Sequence, residues 1–170
     1  MPFIHVCSLA RVEDAVTEIG ARSIVTLLRD GTRMIRPPAI EIERHLYIAV
    51  SDVIAPADGE IHPASEHIQR LLDFVRGWDQ AEPLLIHCFA GVSRSTAAAF
   101  ISACALNPSR AEADIAQAIR AASPTATPNS RLVALADDML QRNGRMARAI
   151  DGIGRGELCE EGVPFSLKIR

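Results

Sequence analysis

Residues 84–100 read LLIHCFAGVSRSTAAAF and bring a thiol, a glycine, hydroxyls and a guanidinium close together in the chain. Cys88 ends an apolar run, Phe89, Ala90, Gly91, Val92 and Ser93 follow, and Arg94 and Ser95 open an alanine-rich segment. Where a buried strand gives way to a helix, the backbone N–H groups of the turn and first helical turn lack intrahelical acceptors and converge on one concavity, which suits an anion. The N–H groups from Phe89 to Arg94 are such donors, and Gly91 permits a positive φ or a close backbone approach. Cys88 stands at the edge of this ring, where N–H dipoles and a guanidinium favour the thiolate and hence a nucleophile. The planar fork of Arg94 suits two oxygens of a phosphoryl group and the charge spread over them in a transition state. His87 is placed to fix the loop backbone with a ring nitrogen. Ser95 is placed to give a hydroxyl proton to the sulfur as it departs.

Taken singly, each residue has a plainer reading: Cys88 as a small core residue, Arg94 as a solvated helix residue, Gly91 as an ordinary turn. Their joint spacing across one strand-to-helix boundary makes the anion cradle the better account.

The elements needed to position this loop are legible on either side. Strands are expected at 3–9, 23–28, 44–50 and 83–87, the last a continuous apolar run suited to the centre of a parallel sheet. Helices are expected at 11–19, ending at Gly20, at 65–78 with Ser65 as cap, and at 93–106, ended by Asn107-Pro108. A further helix is expected with Ser109 as its cap, and a last one, opened by Ser130, runs from 132 to about 150. Residues 30–43 and 51–64 carry the Gly, Pro and Asp of loops. The tail after about residue 155 shows no clear period. Strands alternating with helices early and helices alone later imply an α/β fold, a central mostly parallel sheet flanked by helices, with the helical second half mainly on one face.

The 170 residues, 48% hydrophobic, suffice for one core, so 1–170 is expected to form a single domain. A net charge of −3 disfavours a general nucleic-acid or membrane-surface binder. The start MPFIHVCSLARVEDAV lacks the basic and apolar regions of a secretory signal, and no apolar run approaches a bilayer span, so a cytoplasmic protein is expected. Cys7, Cys88, Cys104 and Cys159 have neither zinc-site nor disulfide-scaffold spacing, which fits a reducing compartment.

His87-Cys88, FAGVS and Arg94-Ser95 together resemble the signature loop of the cysteine-dependent protein tyrosine phosphatases, and HCFAGVSRST resembles most the dual-specificity branch. HLYIAVSD is similar to the strand before that family's general-acid loop, with Asp52 at the acid position. EADIAQAIRAASPTATPN is similar to the helix and Pro-Asn turn that follow the loop, and the likeness runs from about Ser23 to Leu140. The resemblance implies a phosphotyrosine-phosphatase-like fold, agreeing with the element order, and a phosphoric monoester hydrolase acting on phosphotyrosine, and also on phosphoserine or phosphothreonine, of protein substrates. It implies a cysteinyl-phosphate intermediate and no metal or organic cofactor. No Trp-Pro-Asp precedes the acid, which disfavours the tyrosine-specific branch, and the loop has no lysine, which disfavours polyphosphorylated lipids.

Asp52 is the expected acid because it ends a strand and begins a long loop that can close over a substrate, with Asp58 as alternative. Phe89 and Val92 are expected at the pocket rim or floor, and Asn129 as an orienting hydrogen-bonder. His5, His45, His62 and His67 show no ligand spacing and are read as surface or partly buried residues. Cys104 is read as a core residue, with a disulfide to Cys88 as the lesser reading. Arg29, Arg33 and Arg36 form a solvated face or border the pocket. Two other classes remain: a rhodanese-like sulfurtransferase, which has no use for an Asp52 loop, and a non-catalytic phosphoprotein-binding module, against which an intact Cys88, Arg94 and acid argue.

Overall fold

The computed structural model describes residues 2–170. Strands β1 (Phe3–Ser8), β2 (Ser23–Leu28), β3 (His45–Ala49), β4 (Leu84–Cys88) and β5 (Phe165–Lys168) form one sheet in the order β3-β2-β4-β1-β5. The first four are mutually parallel and β5 lies antiparallel against β1. The LLIHC run is central because it is buried on both faces along its whole length, which an unbroken apolar strand requires. All four parallel strands therefore end at one edge of the sheet, and the segments following Ser8, Leu28, Ala49 and Cys88 gather there.

Alternation along β4 divides two cores. Leu84, Ile86 and Cys88 face helices α2 (Ser65–Gly77), α3 (Arg94–Leu106), α4 (Glu112–Ala122), α5 (Ser130–Met139) and α6 (Arg145–Ile153). Leu85 faces the opposite way, into a smaller cluster with Cys7, Ile24, Ile40 and the apolar side of α1 (Val12–Ile19). Helix α3 is buried from Arg94 to Cys104 and packs against the sheet, α2, α4 and α5, so its alanines are small out of necessity.

Three sequence expectations are corrected. Ser65 does not cap α2: Ala64 precedes the helix, and the His67 Nδ1 accepts the Ala64 N–H at 3.0 Å. Ser109 does not cap α4, which begins after Ala111; its hydroxyl donates instead to Asn107 Oδ1. The expected last helix is two, α5 and α6, because Gln141, Asn143 and Gly144 have φ of 55°, 53° and 79° and turn the chain. There Asp137 takes the place of a cap, accepting the N–H groups of Gly144 at 2.7 Å, Met146 at 2.7 Å and Ala147 at 3.1 Å. The tail is also structured: β5 extends the sheet, alternately buried and exposed along FSLK.

Candidate active site

The loop between β4 and α3 is held from outside by its carbonyl oxygens. The Cys88 carbonyl lies 3.1 Å from His87 Nδ1; those of Phe89, Ala90, Val92 and Ser93 accept N–H groups from Leu9 (3.0 Å), Gly162 (2.8 Å), Thr127 (2.9 Å) and Asn129 (3.1 Å). Thr96 adds its hydroxyl to Val92 O at 2.6 Å. With the carbonyls turned outward, the N–H groups turn in; among the described residues, none from Phe89 to Arg94 donates to another protein group. Gly91 makes the turn at φ +73°. A Cβ there would lie 2.8 Å from both Cys7 C and Ser8 N, so β1 itself backs the loop.

Within the loop Cys88 is 2% exposed, and its Sγ is 3.1 Å from Ser95 Oγ on the first turn of α3. Arg94 is buried at 8% exposure. Its Nη1 donates to Val50 O at 3.0 Å, which fixes the guanidinium, while its Nε is buried without an acceptor among the described residues. A buried donor of this kind carries a desolvation cost of about 1–3 kcal/mol unless something accepts from it. The α3 N-terminus, the inward N–H groups and this Nε are the parts of an oxyanion cradle with a sulfur against it.

Asp52 opens the loop after β3. Its Oδ1 accepts from Ser93 Oγ at 2.6 Å and Asn129 Nδ2 at 2.9 Å, so the carboxylate is tied to the rim of the cradle and Oδ2 remains to meet a ligand. The neck of that loop is closed by Ser51, whose N–H donates to Ile61 O at 2.9 Å and whose Oγ accepts the Ile61 N–H at 3.1 Å. Residues 52–59 between are mostly exposed. Asp58 stands at the far turn of the loop, so Asp52 is the carboxylate brought to the cradle. Asn129 does three things. Its Oδ1 caps α5 through Arg131 N and Leu132 N (both 3.0 Å), its Nδ2 reaches Asp52 and Val53 O, and its N–H holds Ser93 O.

His87 lies on the opposite face of the sheet from Cys88 and is fully buried. Burial pushes its imidazole down to about 4, with His45 and Arg94 adding to this and the bond to the Cys88 carbonyl opposing it. Its Nε2 is 2.8 Å from Thr26 Oγ1, which is also 2.8 Å from His45 Nε2. Neither Thr26 nor His45 stands out in the sequence reading. The one available signal was a hydroxyl in the middle of the otherwise apolar run IVTLL.

The other residues fall away from the cradle or at its border. Phe89 is exposed at the rim and Val92 half-buried. Arg29 pairs with Glu60 at 3.1 Å, and Arg33 and Arg36 are exposed. Trp78 is buried, donating to Glu82 O at 3.1 Å. Cys104 lies in the core near the far end of α3, ten residues and so about 15 Å of helix beyond Arg94, far outside disulfide reach of Cys88. Burial, with Glu112 and Asp137 nearby, pushes its thiol up to about 12, and Cys7 behind the loop is likewise pushed by burial to about 12. Among the described residues no helix is long and apolar enough to cross a membrane.

A sequence model of the protein-tyrosine phosphatase family matches residues 52–124, from the Asp52 loop through the cradle to the end of α4. No curated protein matches the sequence. Among solved structures, human DUSP28 is similar with a TM-score of 0.62 at 19% identity, over 80% of this chain and 88% of that one. A mouse putative dual specificity phosphatase complexed with zinc tungstate has a TM-score of 0.60 at 18% identity, over 84% of each chain. DUSP15 has a TM-score of 0.60 at 19% identity, over 92% of each chain. In its central segment and in the fold around it, the chain resembles the protein-tyrosine phosphatase superfamily in its dual-specificity-like form.

Proposed function

We propose that this chain, as a single domain, hydrolyses phosphate monoesters of proteins, taking phosphotyrosine and also phosphoserine or phosphothreonine. The observation that carries the reading is the buried Nε of Arg94, without an acceptor among the described residues, at the start of a helix whose next residue, Ser95, has its hydroxyl 3.1 Å from the Cys88 sulfur, beside loop N–H groups that donate to no protein group. The mouse neighbour complexed with zinc tungstate supports it, since tungstate has the tetrahedral shape and charge of phosphate.

The Cys88 thiolate attacks phosphorus in line with the ester oxygen. As the P–O bond breaks, Asp52, protonated for this step, gives its proton to the departing oxygen. Arg94 and the loop N–H groups bind the three equatorial oxygens, where negative charge gathers. Asp52, now a carboxylate, takes a proton from water attacking the cysteinyl phosphate. The S–P bond breaks, phosphate leaves, and the Ser95 hydroxyl 3.1 Å away stabilises the returning thiolate. The chemistry draws on no metal or organic cofactor. A nucleophilic thiol has to stay reduced, so the cytoplasm is the compartment this reading calls for.

The test is turnover of aryl phosphate and of phosphotyrosyl and phosphothreonyl peptides by the wild type, by Cys88→Ser and by Asp52→Asn. Cys88→Ser should lose turnover and keep binding tungstate. Asp52→Asn should lose about 100- to 10,000-fold on alkyl phosphates and much less on activated aryl esters. Full activity in Cys88→Ser, or thiosulfate turnover with no phosphate release, would overturn the reading.

A further inference from the structure

Thr26, His45 and His87 form a chain of hydrogen bonds behind the sheet, and its proton order can be worked out link by link. A carbonyl oxygen only accepts, so the contact from His87 Nδ1 to Cys88 O at 3.1 Å requires a proton on Nδ1. The ring is fully buried and neutral, so its Nε2 has a lone pair and must accept. The donor at 2.8 Å is the Thr26 hydroxyl, which has one proton and spends it there. Its oxygen then accepts from His45 Nε2, also at 2.8 Å, so that nitrogen bears a proton too. Among the described residues the one competitor for the Thr26 proton is Met34 Sδ at 3.4 Å, a longer contact to a weaker acceptor.

The sheet register explains why these side chains meet. Thr26 is paired with His87 on one side and Tyr47 on the other, and His45 is two residues before Tyr47 on the same face. That face is opposite the one holding the Cys88 sulfur. The chain thus draws the Cys88 carbonyl backward, away from the sulfur, where its negative end would oppose the thiolate. The charged groups near it are few: Arg36 beside His45, Arg94 towards His87, and Asp30 near the neutral Tyr47 ring that lies edge-on to His45. Protonation of His45 occurs at Nδ1 and leaves the Nε2 proton in place, so the order survives it.

We infer that Thr26 and His45 are positioning residues: by fixing the Nδ1–H form of His87 they anchor the Cys88 peptide and keep the thiolate reactive. The inference rests on the proposed use of Cys88 as nucleophile, and its tests are chosen to stand apart from phosphate turnover. The first is the imidazole ¹⁵N spectrum of the wild type, which should show His87 protonated at Nδ1 and bare at Nε2 near neutral pH. The opposite tautomer would overturn the inference whatever the enzyme hydrolyses. The second is the pH dependence of Cys88 alkylation by iodoacetate. Thr26→Val and His45→Phe each remove a donor, and should slow alkylation at neutral pH by about tenfold and move the profile to higher pH. Thr26→Ser and His45→Gln, which keep a hydroxyl and a terminal N–H, should restore it. A profile unchanged within about twofold in folded Thr26→Val would refute the role. Loss of phosphate turnover in the wild type alone would refute the proposed function and leave this result standing.

Discussion

Replacing Gly91 with alanine isolates the backing of the cradle by β1, and Gly20→Ala supplies its control. Both glycines adopt left-handed backbone, φ +73° and +67°, so each alanine carries a strain of about 1–2 kcal/mol. At Gly20, the residue that follows α1, nothing among the described residues lies within 4 Å of the new Cβ. At Gly91 the Cβ would sit 2.8 Å from Cys7 C, 2.8 Å from Ser8 N and 3.0 Å from Cys7 O. These are backbone atoms of β1 where Cys7 and Ser8 are paired with His87 and Cys88 of β4, in a strand pinned by β5 just before them, so they give way poorly. Overpacking of this sort costs about 1–3 kcal/mol more, so Gly91→Ala should lose about 2–5 kcal/mol in urea denaturation. The loop relieves what it can by moving outward. A shift of even a fraction of the 1 Å that costs about 100-fold should lower kcat/KM by at least tenfold and weaken competitive inhibition by tungstate. Gly20→Ala should lose only the strain and keep its kcat/KM. If Gly91→Ala were as stable and as active as Gly20→Ala, the close approach of β1 would have no bearing on the cradle.

Other outcomes follow from burial and charge. Arg142→Met should destabilise by about 3–5 kcal/mol, because Arg142 and Glu112 form a buried pair at 2.8 Å and the carboxylate would be left with the half-exposed Arg145; the double variant Glu112→Leu/Arg142→Met should recover part of the loss in a denaturation cycle. His87 lowers acid stability: its unfolded value of 6.5 exceeds its folded value of about 4, so the unfolded chain binds more protons between them. Stability should be full above about pH 6.5 and fall by roughly 3 kcal/mol as pH drops to about 4, and His87→Gln should flatten that part of the curve. Iodoacetamide near pH 7.5 should label exposed Cys159 and the cradle's Cys88, with tungstate protecting only Cys88; labelling of Cys7 or Cys104 in the folded protein would contradict their burial and raised thiols.

Much of the fold was legible because its strands are buried apolar runs with clear punctuation. Ser23–Leu28 is a strand in both readings, and the LLIHC run is central in both. Two features were hidden for physical reasons. The break between α5 and α6 lies inside a run whose apolar positions, Leu132, Leu135, Ala136, Met146 and Ile150, keep a helical rhythm across it; only Asn143-Gly144 marks the turn. Strand β5 is four residues long and exists through pairing with β1 at the far end of the chain, which no local pattern encodes. Thr26 and His45 were missed in the same way. Their meaning depends on a sheet register that brings residues of three strands to one face.

The cradle's geometry is not a property of residues 87–95 alone. The carbonyls that must turn outward are taken by Leu9 after β1, Thr127 and Asn129 before α5, Gly162 in the tail, and His87 from the rear of the sheet. Gly162 has to be glycine for its own reason: a Cβ there would fall 2.5 Å from Gly91 O. The adjacent Glu161 then fastens the tail by accepting Ser8 Oγ at 2.7 Å and Arg11 Nε at 3.2 Å. These segments are distant in sequence, and each contributes a bond that the five-residue loop cannot supply for itself. The same arrangement explains why adjacent residues of β4 have different tasks. Because side chains alternate across a strand, His87 can hold the peptide from behind while Cys88 presents its sulfur in front. A parallel central strand ending at a helix N-terminus provides both positions and the donors between them, and this is the physical reason the sequence sets a thiol and then a guanidinium at that boundary.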